Sequence, residues 1–195
     1  MKLLVIDTST GTSVAVVDDG IVIAERTVAE TRSHAEVVGR LLTEVLTEAG
    51  GNVDGVVAGL GPGPFTGLRV GIAAAIAFGS ARSIPVYGVP SHDVGIASES
   101  PVTIVTDARR KEWAWTSYAD GEAVAGPGLV PVAELDSLPT LVRFPERRCE
   151  VIFAGELGVA ATIRLDRRDD LSDLTPLYLR APDATPSNGP KRVSQ

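Results

Sequence analysis

A glycine- and proline-rich stretch, Gly59–Gly71, constrains the fold of this chain more than any other segment; its sequence is GLGPGPFTGLRVG. A short apolar run, Val56–Ala58, precedes it, and an alanine-rich segment, Ile72–Gly79, follows it. Because proline fixes φ and glycine permits positive φ, this composition predicts a rigid turn that joins a strand to a helix. Thr66 is the predicted N-cap of that helix, since its hydroxyl can accept a hydrogen bond from a backbone N–H of the first turn.

The same stretch does not match the common nucleotide-binding or nucleophile motifs. A P-loop needs a Gly-Lys pair, which the chain does not contain, and a Rossmann fingerprint fails when it is started from Gly59, Gly61 or Gly63. The G-x-S-x-G motif of hydrolases is also absent. We therefore expect the stretch to fix the backbone conformation and not to supply catalytic side chains. An ordinary strand-to-helix connection of an α/β core explains its composition equally well.

Composition and charge narrow the class of protein. The chain has 195 residues, of which 44% are hydrophobic and only 5% aromatic, so it can bury an aliphatic core. Its net charge of -7 argues against a protein that wraps nucleic acid by itself, because phosphate neutralisation supplies most of that affinity. An acidic chain can serve an RNA pathway when a partner holds the RNA.

Nothing in the sequence predicts export or membrane insertion. Cys149 is the only cysteine, which excludes an intrachain disulfide, and we expect it to be chemically inert or merely exposed. Asp7 comes too early for a signal peptide, and no apolar run approaches the roughly 18 residues of a membrane helix. We therefore expect a cytoplasmic protein.

The first half of the chain predicts three strands followed by a helix. Leu3–Ile6, Ser13–Val17 and Ile21–Arg26 have strand composition, and a hairpin turn separates the last two. This order opens an actin-like half-domain, in which the first loop faces nucleotide phosphates; a turn capped by its own side chains is the alternative. The candidate phosphate-binding residues are Asp7, Thr8, Ser9 and Thr10.

Two helices of the first half are candidates for contact with another protein. Ser33–Glu36 fits a capping box, and the apolar stripe behind it is broad enough to face both the sheet and a second chain. An ordinary amphipathic core helix is the alternative. The second helix carries small residues that permit close approach of another backbone. The candidate interface residues are Val37, Val38, Leu41, Leu42, Val45, Gly67, Gly71, Ala74 and Ala75.

The second half predicts a smaller α/β unit. Val102–Val105 and Trp113–Tyr118 are predicted strands, Val151–Gly155 is a predicted late strand, and Glu156–Ile163 is a predicted helix. The turn between the first two strands carries a basic cluster that would contact phosphate, tRNA or a carboxylate-bearing partner; a solvated turn is the alternative. This cluster consists of Arg109, Arg110 and Lys111. We predict subdomains at residues 1–98 and 99–181 and a flexible tail at 182–195.

The two histidines do not predict a metal site. His34 stands at a helix start, where we expect it on the surface, and His92 stands in a loop. They lie far apart in the chain, and neither has a second strong ligand at short spacing. We therefore predict no metal and no catalytic residue.

Four segments together resemble the TsaB (YeaZ) family. They are Leu4–Thr10, Arg32–Glu36, Gly61–Gly71 and Asp107–Arg110, and a weaker match lies at Pro176–Arg180. The resemblance covers roughly the first 120 residues well, and the chain departs from the family at Pro64, where the family usually has serine. It implies an actin/hexokinase/Hsp70-like fold with two α/β subdomains, the second of them reduced.

The resemblance also implies a function without catalysis. The catalytic paralogue of the family, TsaD, carries an H-x-x-x-H metal pair after a Gly-Val strand end, whereas the comparable stretch here, Gly88–Ile96, contains only His92. The chain is thus expected to be a scaffold subunit for the threonylcarbamoyladenosine modification of the tRNA adenosine beside the anticodon. The missing pair argues against a metallopeptidase.

The expected partners follow from the same resemblance. TsaD would bind the helical face of the first subdomain, the ATPase TsaE would join that pair, and tRNA would be contacted only through the complex. Alone, the chain would form a homodimer, and it would need no cofactor of its own, with any nucleotide bound at an interface of the complex.

A free-standing ATP-binding enzyme of the sugar-kinase type is the alternative. It would place Asp7, Thr8 and Ser9 at the phosphates of the nucleotide. Such a kinase needs a full-sized second lobe with an adenosine pocket, and the residues after 98 are too few to build one.

Overall fold

The computed structural model describes residues 1–30, 34–98 and 101–180 and contains two β-sheets. The predicted cap residue Ser33 and the predicted tail at 182–195 lie outside these ranges. The first sheet and its helices comprise β1 (Lys2–Asp7), β2 (Thr12–Asp18), β3 (Ile21–Val28), α1 (His34–Glu48), β4 (Gly55–Gly59), α2 (Phe65–Arg82) and β5 (Val86–Val89).

The first sheet has the strand order β3-β2-β1-β4-β5. The first three strands form the predicted antiparallel meander, and its hairpin turn places Asp19 and Gly20 at positive φ (45° and 78°). Strands β4 and β5 run parallel to β1. This mixed order follows from the connections, since short turns of four and two residues join the antiparallel strands and α2 carries the chain from β4 to the parallel strand β5.

Helices cover both faces of the first sheet. Leu4 and Ile6 of β1 belong to the core on one face, which α1 and α2 close. Leu3 and Val5 belong to the core on the other face, which is closed by α3 (Ala154–Asp166). This alternation is the period of two that strand side chains follow, and it explains why β1 is apolar along its whole length.

The second sheet comprises β6 (Val102–Asp107), β7 (Glu112–Ala119), β8 (Glu122–Pro131) and β9 (Glu146–Arg148), in the order β8-β7-β6-β9. Short 3₁₀ helices lie at Ser91–Gly95, Val132–Ser137 and Pro139–Val142. Among the described residues, no helix has both the length and the apolarity that crossing a bilayer requires.

The predicted strand at Val151–Gly155 is wrong. Strand β9 lies upstream of it, and α3 begins at Ala154, so the predicted helix Glu156–Ile163 forms the inner part of a longer one. Ile152 is buried, and its N–H donates to Thr10 Oγ1 rather than to a neighbouring strand. Although α3 follows the second sheet in the chain, it packs on the first one, where Gly158 lies against Val17.

Candidate functional site

The glycine-proline stretch forms the predicted strand–turn–helix unit between β4 and α2. Helix α2 begins at Phe65, and Pro64 occupies the N-cap position with extended backbone and no side-chain hydrogen bond. The prediction of Thr66 as the cap is therefore wrong, because the helix begins one residue before it. Gly61 has a φ of 93°, which explains the need for glycine at that position.

The glycines of this unit make room for the loop that follows β1. Thr8 Oγ1 donates to the carbonyl oxygen of Gly67 at 2.7 Å and accepts from the N–H of Gly71 at 3.0 Å. A Cβ atom at Gly71 would lie 2.3 Å from Thr8 Oγ1, and one at Gly63 would lie 2.6 Å from the Ser9 carbonyl oxygen. The small residues at the start of α2 thus leave space for the loop after β1 of the same chain.

Asp7 is sealed inside the protein. Its Oδ1 accepts from the N–H of Ser9 at 2.9 Å and from the Ser9 hydroxyl at 2.6 Å, and its Oδ2 accepts from the Ser91 hydroxyl. Burial raises the pKa of this carboxyl above its ordinary value of 3.8, although these hydrogen bonds lower it in part. The carboxylate oxygens are therefore engaged within the chain.

The other two residues of the predicted phosphate loop border a cavity. Ser9 and Thr10 line a space of about 660 Å³ together with Trp113, Arg148 and Cys149. The Arg148 guanidinium lies 5.5 Å from the centre of the Trp113 ring. Thus Asp7, Thr8 and Ser9 are all buried, and Ser9 and the half-buried Thr10 also border the cavity between the two sheets.

His34 is not on the surface, and that prediction is wrong. It is the first residue of α1, it is 8% exposed, and its Nδ1 lies 2.8 Å from Thr12 Oγ1. Burial lowers the pKa of its imidazole. Thr12 of β2 and Gly67 of α2 lie beside the ring, and the helical periodicity of α1 alone does not reveal these neighbours.

His92 lies between the two sheets. Its Nδ1 is 2.9 Å from Thr116 Oγ1 and its Nε2 is 2.8 Å from Thr106 Oγ1, so both ring nitrogens contact threonine hydroxyls of the second sheet. Burial lowers the pKa of the imidazole to about 3. The described residues contain no cluster of three or more His, Cys, Asp or Glu that would hold a metal ion.

The predicted basic turn joins β6 to β7. Arg109, Arg110 and Lys111 all have positive φ (64°, 54° and 61°), and Arg109 pairs with Asp107 at 3.1 Å. Arg180 reaches this turn from the end of the described chain, where it donates to the Ala108 carbonyl oxygen at 3.2 Å and pairs with Glu112. Sequence reasoning singled out the turn but missed this partner.

The segment before Arg180 connects the two halves of the molecule. The N–H of Leu177 donates to the Leu60 carbonyl oxygen at 2.8 Å, and the Tyr178 hydroxyl accepts from Arg69 Nε at 2.9 Å. Tyr178 also stacks on Phe65, with ring centres 4.8 Å apart. The weakest of the sequence matches therefore holds the start of α2 beside the basic turn.

Burial divides the predicted interface residues. Six of them are buried in the core of this chain and cannot touch a partner directly: Val38, Leu41, Val45, Gly67, Gly71 and Ala75. The other three are partly exposed: Val37, Leu42 and Ala74. The outward apolar side chains of α2 include Phe65 and Ile76, which are 40% and 41% exposed. An interface on these helices stays a prediction, with different contact residues.

A family model and a solved structure match most of this chain. Residues 22–174 match the family model described as TsaD: tRNA N6-adenosine threonylcarbamoyltransferase. The solved structure of YeaZ from Pseudomonas aeruginosa superposes with a TM-score of 0.71 at 23% identity, covering 91% of this chain and 99% of that one. The molecule therefore has the actin/hexokinase-like fold.

Two relatives are similar to this chain in sequence. An uncharacterised protein of Mycobacterium tuberculosis is 39% identical over an alignment of 202 positions, gaps included, which covers 94% of each chain. The tRNA threonylcarbamoyladenosine biosynthesis protein TsaB of Escherichia coli is 33% identical over 132 residues, covering 63% of this chain and 57% of the relative. The chain belongs to the TsaB (YeaZ) family.

Proposed function

We propose that this chain is a non-catalytic subunit for threonylcarbamoyladenosine formation in tRNA, and that it binds and supports a TsaD-type catalytic subunit. A TsaE-type ATPase would join the pair. Family membership supports the pathway, and the net charge of -7 supports a chain that meets tRNA only through its partners.

The environment of His92 carries the non-catalytic part of this proposal. It is the one histidine in the stretch comparable to the metal pair of the catalytic paralogue, and two threonine hydroxyls occupy its ring nitrogens. A neutral, fully enclosed imidazole cannot bind a metal that a substrate must reach. The stretch is thus suited to packing between the sheets.

The sealed carboxylate of Asp7 supports the scaffold over the sugar-kinase alternative. A kinase of that type needs this carboxylate beside the phosphates, whereas here serine hydroxyls engage both of its oxygens. We propose that the isolated chain needs no cofactor and that any nucleotide binds at an interface of the complex. Calorimetric titration with magnesium-ATP checks this point, and tight binding by the isolated chain would favour the kinase.

The outer face of α2 is the best-supported partner surface. Phe65, Ala73, Ile76 and Ala77 are exposed along it, whereas the outer face of α1 is polar and carries the Arg40–Glu44 ion pair. Exposed apolar side chains along one helix are typical of a surface that another protein covers. Without the catalytic partner, two copies of this face would pair as a homodimer.

Co-purification of the chain with its TsaD-type partner tests the proposal. Ile76→Glu places a charge on the exposed face, so we expect it to abolish the pairing while the chain stays folded. Val132→Glu is the matched control, because Val132 is 48% exposed and lies beside the second sheet. Leu41→Glu is unsuitable, since Leu41 is 2% exposed and the charge would disrupt the core. Pairing that survives Ile76→Glu would show that α2 is not the contact.

A further inference from the structure

A second cavity lies on the other side of Pro64 from the one that Ser9 and Thr10 border. It has a volume of about 530 Å³ and opens between the start of α2, the β6–β7 turn and the segment that ends at Arg180. This volume lies in the range of small-molecule sites, which commonly occur where two lobes meet. The loop after β1 does not line it, and Phe65 is the one residue that it shares with the partner surface proposed above.

The walls of this cavity are apolar and partly flat. Ala114 and Leu129, which are partners in the register of β7 and β8, form one side, and Pro62 contributes to the opposite side. The stacked rings of Phe65 and Tyr178 close one end. Rings and prolines that face an open space favour a ligand with a planar apolar body.

The charged lining of the cavity is positive although the chain is acidic. Arg109, Arg110 and Arg180 line it together with one carboxylate, Asp107, and a second carboxylate, Glu112, pairs with Arg180, so these side chains carry a formal charge of +1 (three minus two) in a chain of -7. Guanidinium groups gathered at a cleft attract anions, and their planar forks suit carboxylate and phosphate oxygens. The three consecutive residues at positive φ hold this turn in a strained shape, as is common at ligand sites.

We propose that this cavity binds a small aromatic anion, with its ring between Leu129 and the Phe65–Tyr178 pair and its anionic group toward Arg109 and Arg180. Apolar walls alone would accept a neutral ring equally well, and arginines alone would accept inorganic phosphate. The combination selects a molecule that carries both groups. Phe65 is the one residue that this site shares with the partner surface proposed on α2, and the site uses no catalytic group.

Fluorescence titration with two probes tests the proposal. Anilinonaphthalene sulfonate has an aromatic body and an anionic group, and N-phenylnaphthylamine has the same ring system without the charge. We expect the sulfonate to bind the purified full chain about tenfold more tightly than the neutral probe, which corresponds to roughly one charge-assisted contact. Equal affinity of the two probes would contradict the role of the arginines.

Variants of the chain locate the bound probe. Leu129→Trp fills the cavity, so we expect it to weaken both probes about tenfold, and Tyr178→Ala serves as a second variant if the first does not fold. Arg180→Gln should weaken only the sulfonate, by about fivefold, whereas Arg40→Gln on α1 should change neither. Ile76→Ser is the control for adsorption to α2. Loss of binding with Ile76→Ser, or none with Leu129→Trp and Tyr178→Ala, would overturn the proposal.

Displacement experiments then distinguish the kinds of anion. AMP presents an aromatic ring with a phosphate, and hydroxybenzoate presents one with a carboxylate. Displacement of the sulfonate probe by either supports the proposed class and identifies its anionic group, whereas displacement by neither contradicts it.

Discussion

The hydroxyl of Ser91 donates to the carboxylate of Asp7, 84 residues earlier in the chain, and accepts from the N–H of Gly61 at 2.9 Å. One serine therefore connects the end of β1, the glycine-proline stretch and the segment after β5. Gly59 lies directly against this carboxylate. The three segments meet because parallel strands β1, β4 and β5 all end at the same edge of the sheet.

We expect Gly59→Ala to destabilise the protein by about 3 kcal/mol or more, because its Cβ would lie 1.9 Å from Asp7 Oδ2. Gly39→Ala is the matched control. A Cβ at Gly39 meets nothing within 4 Å, and the residue lies inside α1, so alanine should stabilise the protein by roughly 0.5–1 kcal/mol. Urea unfolding measures both changes, and equal effects would show that the space beside Asp7 is not tight.

Asp7→Asn should make the free energy of unfolding less dependent on pH. Since burial raises the pKa of Asp7 in the folded state, the folded protein holds this proton more strongly than the unfolded chain does. The contribution of Asp7 to stability is therefore greatest below pH 3.8 and declines as the pH rises toward the folded-state pKa. Urea unfolding of the wild type and of Asp7→Asn at about every pH unit between roughly pH 4 and 7 measures this change. A stability difference that stays constant over that range would contradict it.

His92 should change the pH dependence of stability in the direction opposite to that of Asp7. Its pKa falls from 6.5 to about 3 in the folded protein, so the unfolded chain takes up the proton first on acidification. The contribution of the neutral imidazole to the free energy of unfolding is fully present above pH 6.5. Below that pH it falls by about 1.4 kcal/mol per pH unit. His92→Gln, which keeps one donor and one acceptor, should lose most of this slope in denaturant titrations. An unchanged slope would show that His34 or another group is responsible.

The buried pair of Arg164 and Asp93 should matter more than an exposed pair. Arg164 Nη1 lies 2.8 Å from Asp93 Oδ2, and the Tyr118 hydroxyl donates to the same carboxylate at 2.8 Å. Arg164→Met leaves a largely buried carboxylate without its cation, at a cost of about 3 kcal/mol. Arg40→Met removes the exposed pair with Glu44 and should cost no more than about 0.5 kcal/mol. Similar losses of thermal stability in the two variants would contradict the ranking.

Much of the first half of the fold was predictable from local patterns. Alternation and turn chemistry predicted the meander through Asp19 and Gly20, and the spacing of apolar residues predicted α1. The second half was less predictable, because Val151–Gly155 has strand composition although Ile152 packs between elements and α3 begins beside it. Its partners come from the other end of the chain, so no local window contains them.

In the candidate site, too, the sequence predicted which motifs matter but not which residues they contact. Sequence alone located the loop after β1, the glycine-proline stretch and the basic turn as features that need an explanation. It assigned Val38, Leu41 and Val45 to a partner surface, whereas they fill the core. A helical stripe records which side chains are apolar but not whether the covering surface belongs to the same chain.

Sequence by itself determined the family, the strand–turn–helix unit at Gly59–Gly71 and the absence of an H-x-x-x-H pair, because these depend on residue types and their spacing. Tertiary structure alone decided that serines seal Asp7, that threonines enclose His92 and that Arg180 reaches the basic turn. Burial and hydrogen bonding arise from residues far apart in the chain. The physical environment of a side chain, and hence its chemistry, is therefore set only when the chain has folded.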